Sequence, residues 1–330
     1  MRVGVVSRFG RRDVARGGGI SRTATLTVAT LRKAKVDVRT FSDKATDYSD
    51  GLSDCDAVWL YTTDQQIETN ILPRSPALPN THLVVNSAWA PGKGREKWMR
   101  HLAENWRDKF PLISFSVWSR TAKQQLELAG FEERIVHLPH LQMLSTERPS
   151  LGYKDRRGIC VGEVDKLQRS DLTTIDFERF VDELRAIGCN EPMYAYGQYS
   201  MERGALPVSV NIVPKMPFQD FMAWLGQLRV FILFTNRETF AAPPIEAASR
   251  GVVPLLPGMP QSLDDYFPPG IPRFEDATAA AEIVARLISD EAEWTRLSSQ
   301  SFEHSRLLDP ATLIPSFLSS LRQLHSVESR

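Results

Sequence analysis

The chain has 330 residues, 42% hydrophobic and 24% charged, which places it among globular proteins and excludes collagen-like, disordered and coiled-coil classes. Its 40 basic residues balance 40 acidic ones, so no net field draws the whole molecule onto nucleic acid or an anionic membrane, and any such attraction is local. A chain of this length is expected to divide into two α/β cores of about 150 residues each.

In chain order, Val3 to Val6 reads as a strand, Ile20 to Ala34 as a helix with apolar Ile20, Ala24, Val28 and Leu31, and Val36 to Phe41 as the next strand. Further strands are expected at Ala57 to Tyr61, Leu83 to Asn86, Leu112 to Phe115 and Arg134 to Leu138, with a helix from Ser119 to Ala129 stopped by Gly130. From Leu141 to Arg157 the sequence turns polar and loses its period, as a linker does. A second alternation follows: strands at Gly158 to Val161, Met193 to Tyr196, Ser209 to Val213 and Val230 to Phe234, and helices at Asp176 to Ile187, Thr278 to Ser289 and Glu291 to Ser301. The stretch from Pro310 to His325 is an amphipathic helix that must dock on something.

The domains are thus expected at residues 1–145 and 156–309, with 310–330 a C-terminal helix returning to the first. Cys55, Cys160 and Cys189 lack Cys-x-x-Cys spacing and read as buried thiols of a reducing compartment. The chain opens directly on a strand, which leaves no room for a signal peptide, and no stretch reaches the roughly 18 apolar residues of a membrane span. A cytoplasmic protein without integral membrane association is expected.

The most informative segment runs from Arg237 to Pro254. It places Glu238 in a loop after an apolar strand and Glu246 in the first turn of a helix that Gly251 ends. A carboxylate in a first helical turn stays ionised and can accept both hydrogen bonds of a ribose diol. Backbone N–H groups around Thr239, Phe240, Ala241 and Ala242 are placed to meet an anion or a sugar.

Glu, seven residues, Glu, then Ala-Ala-x-x-Gly-Val-x-Pro resembles the signature of retaining glycosyltransferases of the GT-B fold, particularly family 4. The resemblance implies two Rossmann-like α/β domains facing each other across a cleft. It also implies transfer of a sugar from a UDP- or GDP-linked donor to a hydroxyl acceptor, with retention and without a metal or other cofactor. Glu238 would bind donor-sugar hydroxyls and Glu246 the ribose, with Val213 and Lys215 beside the base. Gly18 and Gly19, in the glycine-rich turn Arg16 to Ile20, would face the donor diphosphate. This turn is not the G-x-G-x-x-G dinucleotide fingerprint.

The chain departs from the family in two places. Where the family has a Gly-Arg at a strand end, this sequence has Gly162-Glu163, leaving Lys166 and Arg169 to neutralise the departing diphosphate. Where the family often has a sugar-lining His, it reads Val85-Asn86-Ser87-Ala88-Trp89, so Asn86 or Trp89 takes over that surface. His140 reads as a hydrogen-bonded hinge histidine, and Asp54-Cys55-Asp56 as a solvated turn rather than a metal site.

Arg8, Arg11, Arg12, Arg16 and Arg22 crowd the loop after the first strand, and Lys93, Arg95, Lys97, Trp98 and Arg100 follow the fourth. On the acceptor side these groups suit an anionic acceptor: modified DNA, a phosphorylated sugar or an anionic lipid head group. The alternatives are a GT-B-like epimerase or phosphorylase, or a nucleotide-sugar-binding protein that has lost turnover.

Overall fold

The computed structural model describes residues 1–8, 19–49, 51–87, 93–131, 134–140, 144, 147, 149–167, 176–197, 206, 209–235, 241–259 and 261–326. The chain forms two compact units, one of Met1–Met143 with Asp309–Arg330, the other of Leu144–Leu308.

The first unit contains β1 (Arg2–Ser7), α1 (Gly19–Lys33), β2 (Asp37–Ser42), β3 (Ala57–Leu60), β4 (His82–Ser87), α2 (Lys93–Trp106), β5 (Ile113–Val117), α3 (Arg120–Leu128), β6 (Ile135–His137) and the terminal α9 (Pro310–Ser326). Its sheet is parallel, in the order β2-β1-β3-β4-β5-β6. Strand alternation divides the side chains between two faces. Val58, Leu60, Leu83, Val85, Phe115 and Val117 join Met99, Leu102 and Ala103 of α2 and Ala122 and Leu126 of α3 in one apolar core. Trp59 and Tyr61 point the other way. Trp59 meets the fully buried Phe317 of α9 at 5.3 Å between ring centroids and donates from Nε1 to Ser116 Oγ at 3.3 Å. α9 also packs on α1 and β6.

The second unit contains β7 (Ile159–Glu163), α4 (Phe177–Ala186), β8 (Met193–Tyr196), β9 (Val210–Val213), α5 (Phe218–Leu225), β10 (Val230–Ile232), α6 (Ala242–Ala248), β11 (Val253–Pro257), β12 (Arg273–Phe274), α7 (Ala277–Ser289) and α8 (Glu291–Ser305). The order β9-β8-β7-β10-β11-β12 is the 3-2-1-4-5-6 arrangement of dinucleotide-binding sheets. Apolar cores cover both faces: Val161, Ile232 and Leu255 pack against α4 and α7, and Cys160 and Phe231 against Met222 and Leu225 of α5 and Ala247 of α6. Such double coverage explains why these strands read as unbroken apolar runs.

Local chemistry sets the helix ends. Ser119, Asp176, Asp276 and Asp290 accept from the backbone N–H three residues on, as N-caps do. At the far end of α6, Gly251 adopts φ +72°, and the bonds Gly251 N–H to Ala248 O and Val252 N–H to Ala247 O close a Schellman turn.

A buried arginine secures the amino-end edge of the second sheet. Arg156, 1% exposed, donates from Nε to Leu151 O at 3.0 Å, from Nη2 to Arg250 O at 2.7 Å and from Nη1 to Leu228 O at 3.4 Å. Its guanidinium lies 5.5 Å from the Trp294 ring centre, and burial, then the nearby Arg250 charge, pushes its pKa down to about 10. The carbonyls it binds after α5 and α6 lie at the negative ends of both helix dipoles. Arg156→Met should therefore lower stability by about 2–4 kcal/mol, read as a reduced urea midpoint. Arg156→Lys should recover only part of this, because an ammonium cannot fork across three acceptors; an unchanged midpoint in Arg156→Met would contradict the assignment.

Candidate functional site

In a doubly wound parallel sheet, ligands bind outside the carboxyl ends of the strands, where the strand order reverses. In the second unit that point lies between β7 and β10, which pair through Ile159 with Val230 and Cys160 with Phe231. The carboxyl end of β7 is irregular: its register with β8 shifts between Cys160 and Glu163, and Gly162 adopts φ +97°. A Cβ on Gly162 would meet only Ile232 O, at 3.6 Å, so backbone conformation rather than space calls for glycine here. Glu163, partly buried, ends the strand, and a short helical turn, Val164–Leu167, follows. The backbone of Lys166 lies in that turn, one turn beyond the switch point; its side chain and all of Arg169 lie outside the described residues.

Beyond β10 the chain continues through Leu233, Phe234 and Thr235, all buried. Glu238, Thr239 and Phe240 lie outside the described residues. Ala241, 2% exposed, precedes α6, and Glu246 on that helix is 2% exposed. Glu246 stands in the second turn of α6, not the first as its spacing suggested. The helix already begins at Ala242, because Pro243 and Pro244 have the fixed φ that suits a helix start. The same prolines remove two N–H groups from the first turn, and Ile245 N–H is spent on Ala241 O at 3.4 Å. The N-terminus of α6 is therefore poor in donors, and a phosphate here needs cationic side chains. Val213, partly buried, ends the edge strand β9, and Lys215 is exposed just beyond it.

In the first unit Gly19 opens α1, whereas Gly18, Arg11, Arg12, Arg16 and Trp89 lie outside the described residues. Asn86 is 4% exposed on β4, and its Oδ1 accepts from Ser116 Oγ at 3.4 Å, extending the chain that starts at Trp59. It is thus an interior strand residue. His140, 6% exposed, has Nε2 at 3.1 Å from Tyr61 Oη and 3.3 Å from Thr23 Oγ1, and its ring meets Trp118 edge-on at 4.4 Å. Asp54 pairs with Arg39 at 2.9 Å and Asp56 with the N-terminal amine at 3.7 Å, which gives the Asp-x-Asp pattern a structural occupation.

The basic-aromatic run after β4 is a helix, and its two most telling side chains turn inward. Arg95 pairs with Asp64 at 2.6 Å and has only 8% of its side chain exposed. Its guanidinium lies 3.9 Å from the Trp98 ring centre, and Trp98 Nε1 donates to Glu68. These groups are spent on holding α2 to the helical segment Asp64–Arg74 and do not present a stacking platform for a base. Missed in the sequence was a polar group at the carboxyl ends of β1, β2 and β3, formed by Arg8, Asp43 and Thr62: Asp43 Oδ2 accepts from Thr62 Oγ1 at 2.6 Å and lies 3.7 Å from Arg8 Nε.

No protein-family model matches the chain, and no curated protein matches it by sequence. Solved structures do. Sucrose-phosphate synthase from Thermosynechococcus elongatus superposes with a TM-score of 0.70 at 13% identity, covering 99% of this chain and 100% of that one. HepE of Anabaena, solved with UDP and glucose, gives 0.65 at 12% identity, covering 98% of this chain and 100% of that one. TarM gives 0.61 at 13% identity over 80% of this chain, which spans only about half (54%) of TarM. The chain has the GT-B fold.

Because Arg95 serves structure, Arg95→Ala should lower stability by about 1–3 kcal/mol in urea unfolding and leave retention on immobilised heparin unchanged. A phosphate-contacting arginine would give the reverse pattern.

Proposed function

We propose that the protein transfers a hexosyl or pentosyl group from a nucleotide sugar, UDP- or GDP-linked, to a hydroxyl acceptor. The observation that carries the reading is the placement of α6. The 3-2-1-4-5-6 order makes the β7/β10 boundary the switch point, and the helix that follows β10 carries the buried carboxylate Glu246. The likeness to HepE, solved with UDP and glucose, supports the same assignment.

In this reading Glu246 accepts hydrogen bonds from the ribose diol. Its burial gives those bonds a low-dielectric setting, where they are stronger than in water. Glu238 holds donor-sugar hydroxyls, with Thr239, Phe240 and Ala241 along the same loop, and Val213 and Lys215 lie beside the base. As the glycosidic bond breaks, negative charge develops on the departing nucleoside diphosphate. Because Pro243 and Pro244 leave the start of α6 short of N–H donors, Lys166 or Arg169 neutralises it, without a metal. Gly18 and Gly19 permit close approach of backbone to the diphosphate. Through its resemblance the chain is assigned retention at the anomeric carbon. Arg11, Arg12 and Arg16 meet an anionic acceptor, with Trp89 near the sugar, and a cytoplasmic location suits the free thiols of Cys55, Cys160 and Cys189. Among the described residues no helix is long and apolar enough to cross a membrane.

Glu163 in place of an arginine favours a second reading, a nucleotide-sugar-binding protein without turnover. A ligand that binds only the native state raises apparent stability by about 2.7 kcal/mol at a hundred times its Kd. UDP or GDP, and the matching nucleotide sugar, should therefore raise the Tm of the wild type and not that of Glu246→Ala. Slow release of free sugar from the donor, followed by anomeric-proton NMR, separates turnover from binding alone. No thermal shift with any nucleotide would overturn the proposal.

A further inference from the structure

The proposed function assigns no ligand group to Glu163 and leaves the base of the donor open. Glu163 is the last residue of β7, opposite Tyr196 of β8. Its backbone is fixed on both sides: Gly162 before it adopts φ +97°, and Val164 after it is fully buried. β8 ends in the same way, with Gly197 at φ +116° and its N–H donating to Val213 O of β9 at 3.0 Å. The Tyr196 ring packs on Phe221 and Phe231, at 5.0 and 6.4 Å between centroids, which holds this edge of the sheet in place.

Two adjoining strands thus run out into glycine. Among the described residues, a Cβ on Gly162 would meet Ile232 O alone, at 3.6 Å, and a Cβ on Gly197 only Glu163 Cγ at 3.6 Å and Val164 N at 4.0 Å. Crowding demands neither glycine; positive φ demands both. The result is a strip of bare backbone at the carboxyl ends of β7 and β8, where a flat ring can lie close against the peptide planes. Glu163, partly exposed, leans over this strip toward Gly197, on the β8 side of the switch point.

An ionised carboxylate only accepts hydrogen bonds, and it repels phosphate. Of the parts of a nucleotide sugar, the diphosphate is therefore kept from Glu163, and in the proposed reading the hydroxyls of ribose and sugar belong to Glu246 and Glu238. The base remains, on the side where Val213 and Lys215 stand. Bases differ in what they offer two carboxylate oxygens. Guanine presents N1–H and N2–H side by side, a match for paired, charge-assisted hydrogen bonds. Uracil presents one N–H between two carbonyls that a carboxylate repels, and adenine and cytosine present one amino group beside a ring nitrogen that accepts.

We propose that Glu163 reads guanine, its two oxygens accepting from N1–H and N2–H of a base that lies on the strip between Gly162 and Gly197. The preferred donor is then a guanosine diphosphate sugar, and UDP binds the same place more weakly. The inference rests on the reading of the second unit as the nucleotide site. It gives the departure at Gly162-Glu163 a physical reason: a residue that meets phosphate in the resembled family here specifies the base, and phosphate is left to Lys166 or Arg169.

Isothermal titration calorimetry on the full chain tests this with GDP, UDP and inosine diphosphate, which is GDP without the N2 amino group. The wild type should bind GDP at least about tenfold more tightly than either of the others, the discrimination a good bidentate pair supplies. Glu163→Gln keeps the size of the side chain and loses one acceptor. In it GDP should weaken about tenfold while inosine diphosphate changes by less than about threefold, so that the ratio between them falls close to one. If the variant does not fold, the wild-type ratios still decide. A wild-type ratio near one, tighter binding of UDP than of GDP, or a ratio that persists in Glu163→Gln overturns guanine recognition and leaves the nucleotide-sugar reading standing. Absence of binding by all three nucleotides overturns both.

Discussion

Parallel strand pairing is the constraint from which the rest follows. Every strand in each unit ends at the same edge of its sheet, so the loops that follow them, and the side chains those loops carry, collect there. In the second unit the reversal of strand order parts the connections on either side of β7 and β10, and the chain places its irregular backbone and its buried carboxylate at that reversal. Gly162, with its positive φ, and Glu246, on a helix opened by prolines, are both consequences of how the chain leaves these two strands. The opposite edge has a different task. There Arg156, the Schellman turn at Gly251 and the Arg229–Glu191 pair at 2.7 Å bind loops to one another.

The two faces of the first sheet differ in kind. One is an ordinary apolar core against α2 and α3. The other carries Trp59, Tyr61, Asn86, Ser116 and His140, each held by a hydrogen bond to another buried side chain. Buried polar networks of this sort fix one arrangement, because any shift leaves a donor or acceptor unmet in a low-dielectric interior. α9 seals this face with Phe317, so the last helix of the chain completes the core begun by the first strand.

Much of this architecture was legible in the sequence. The strands are short apolar runs with polar flanks, and their positions agree with the structure to within a residue or two at most ends. Helix ends such as Ser119, Gly130 and Gly251 announce themselves through side chains that cap or backbones that accept a positive φ. The reading failed where partners come from far along the chain. α2 looked like a basic surface because Lys93, Arg95, Lys97 and Arg100 dominate it, while Asp64 and Glu68, which engage Arg95 and Trp98, lie 31 and 30 residues upstream, on the far side of β4. Arg8 looked like one of several loop cations because only strand pairing brings Asp43 to it. Glu246 was placed a turn too early because the prolines that look like loop punctuation begin the helix.

The central claim is that the second unit holds a nucleotide sugar at the boundary of β7 and β10. Photolabelling with 5-azido-UDP-glucose, followed by peptide mapping, addresses it directly. The account predicts label within residues 209–216 and 233–250, displaced by unlabelled UDP. Label confined to residues 1–143, or label that UDP does not displace, would contradict it.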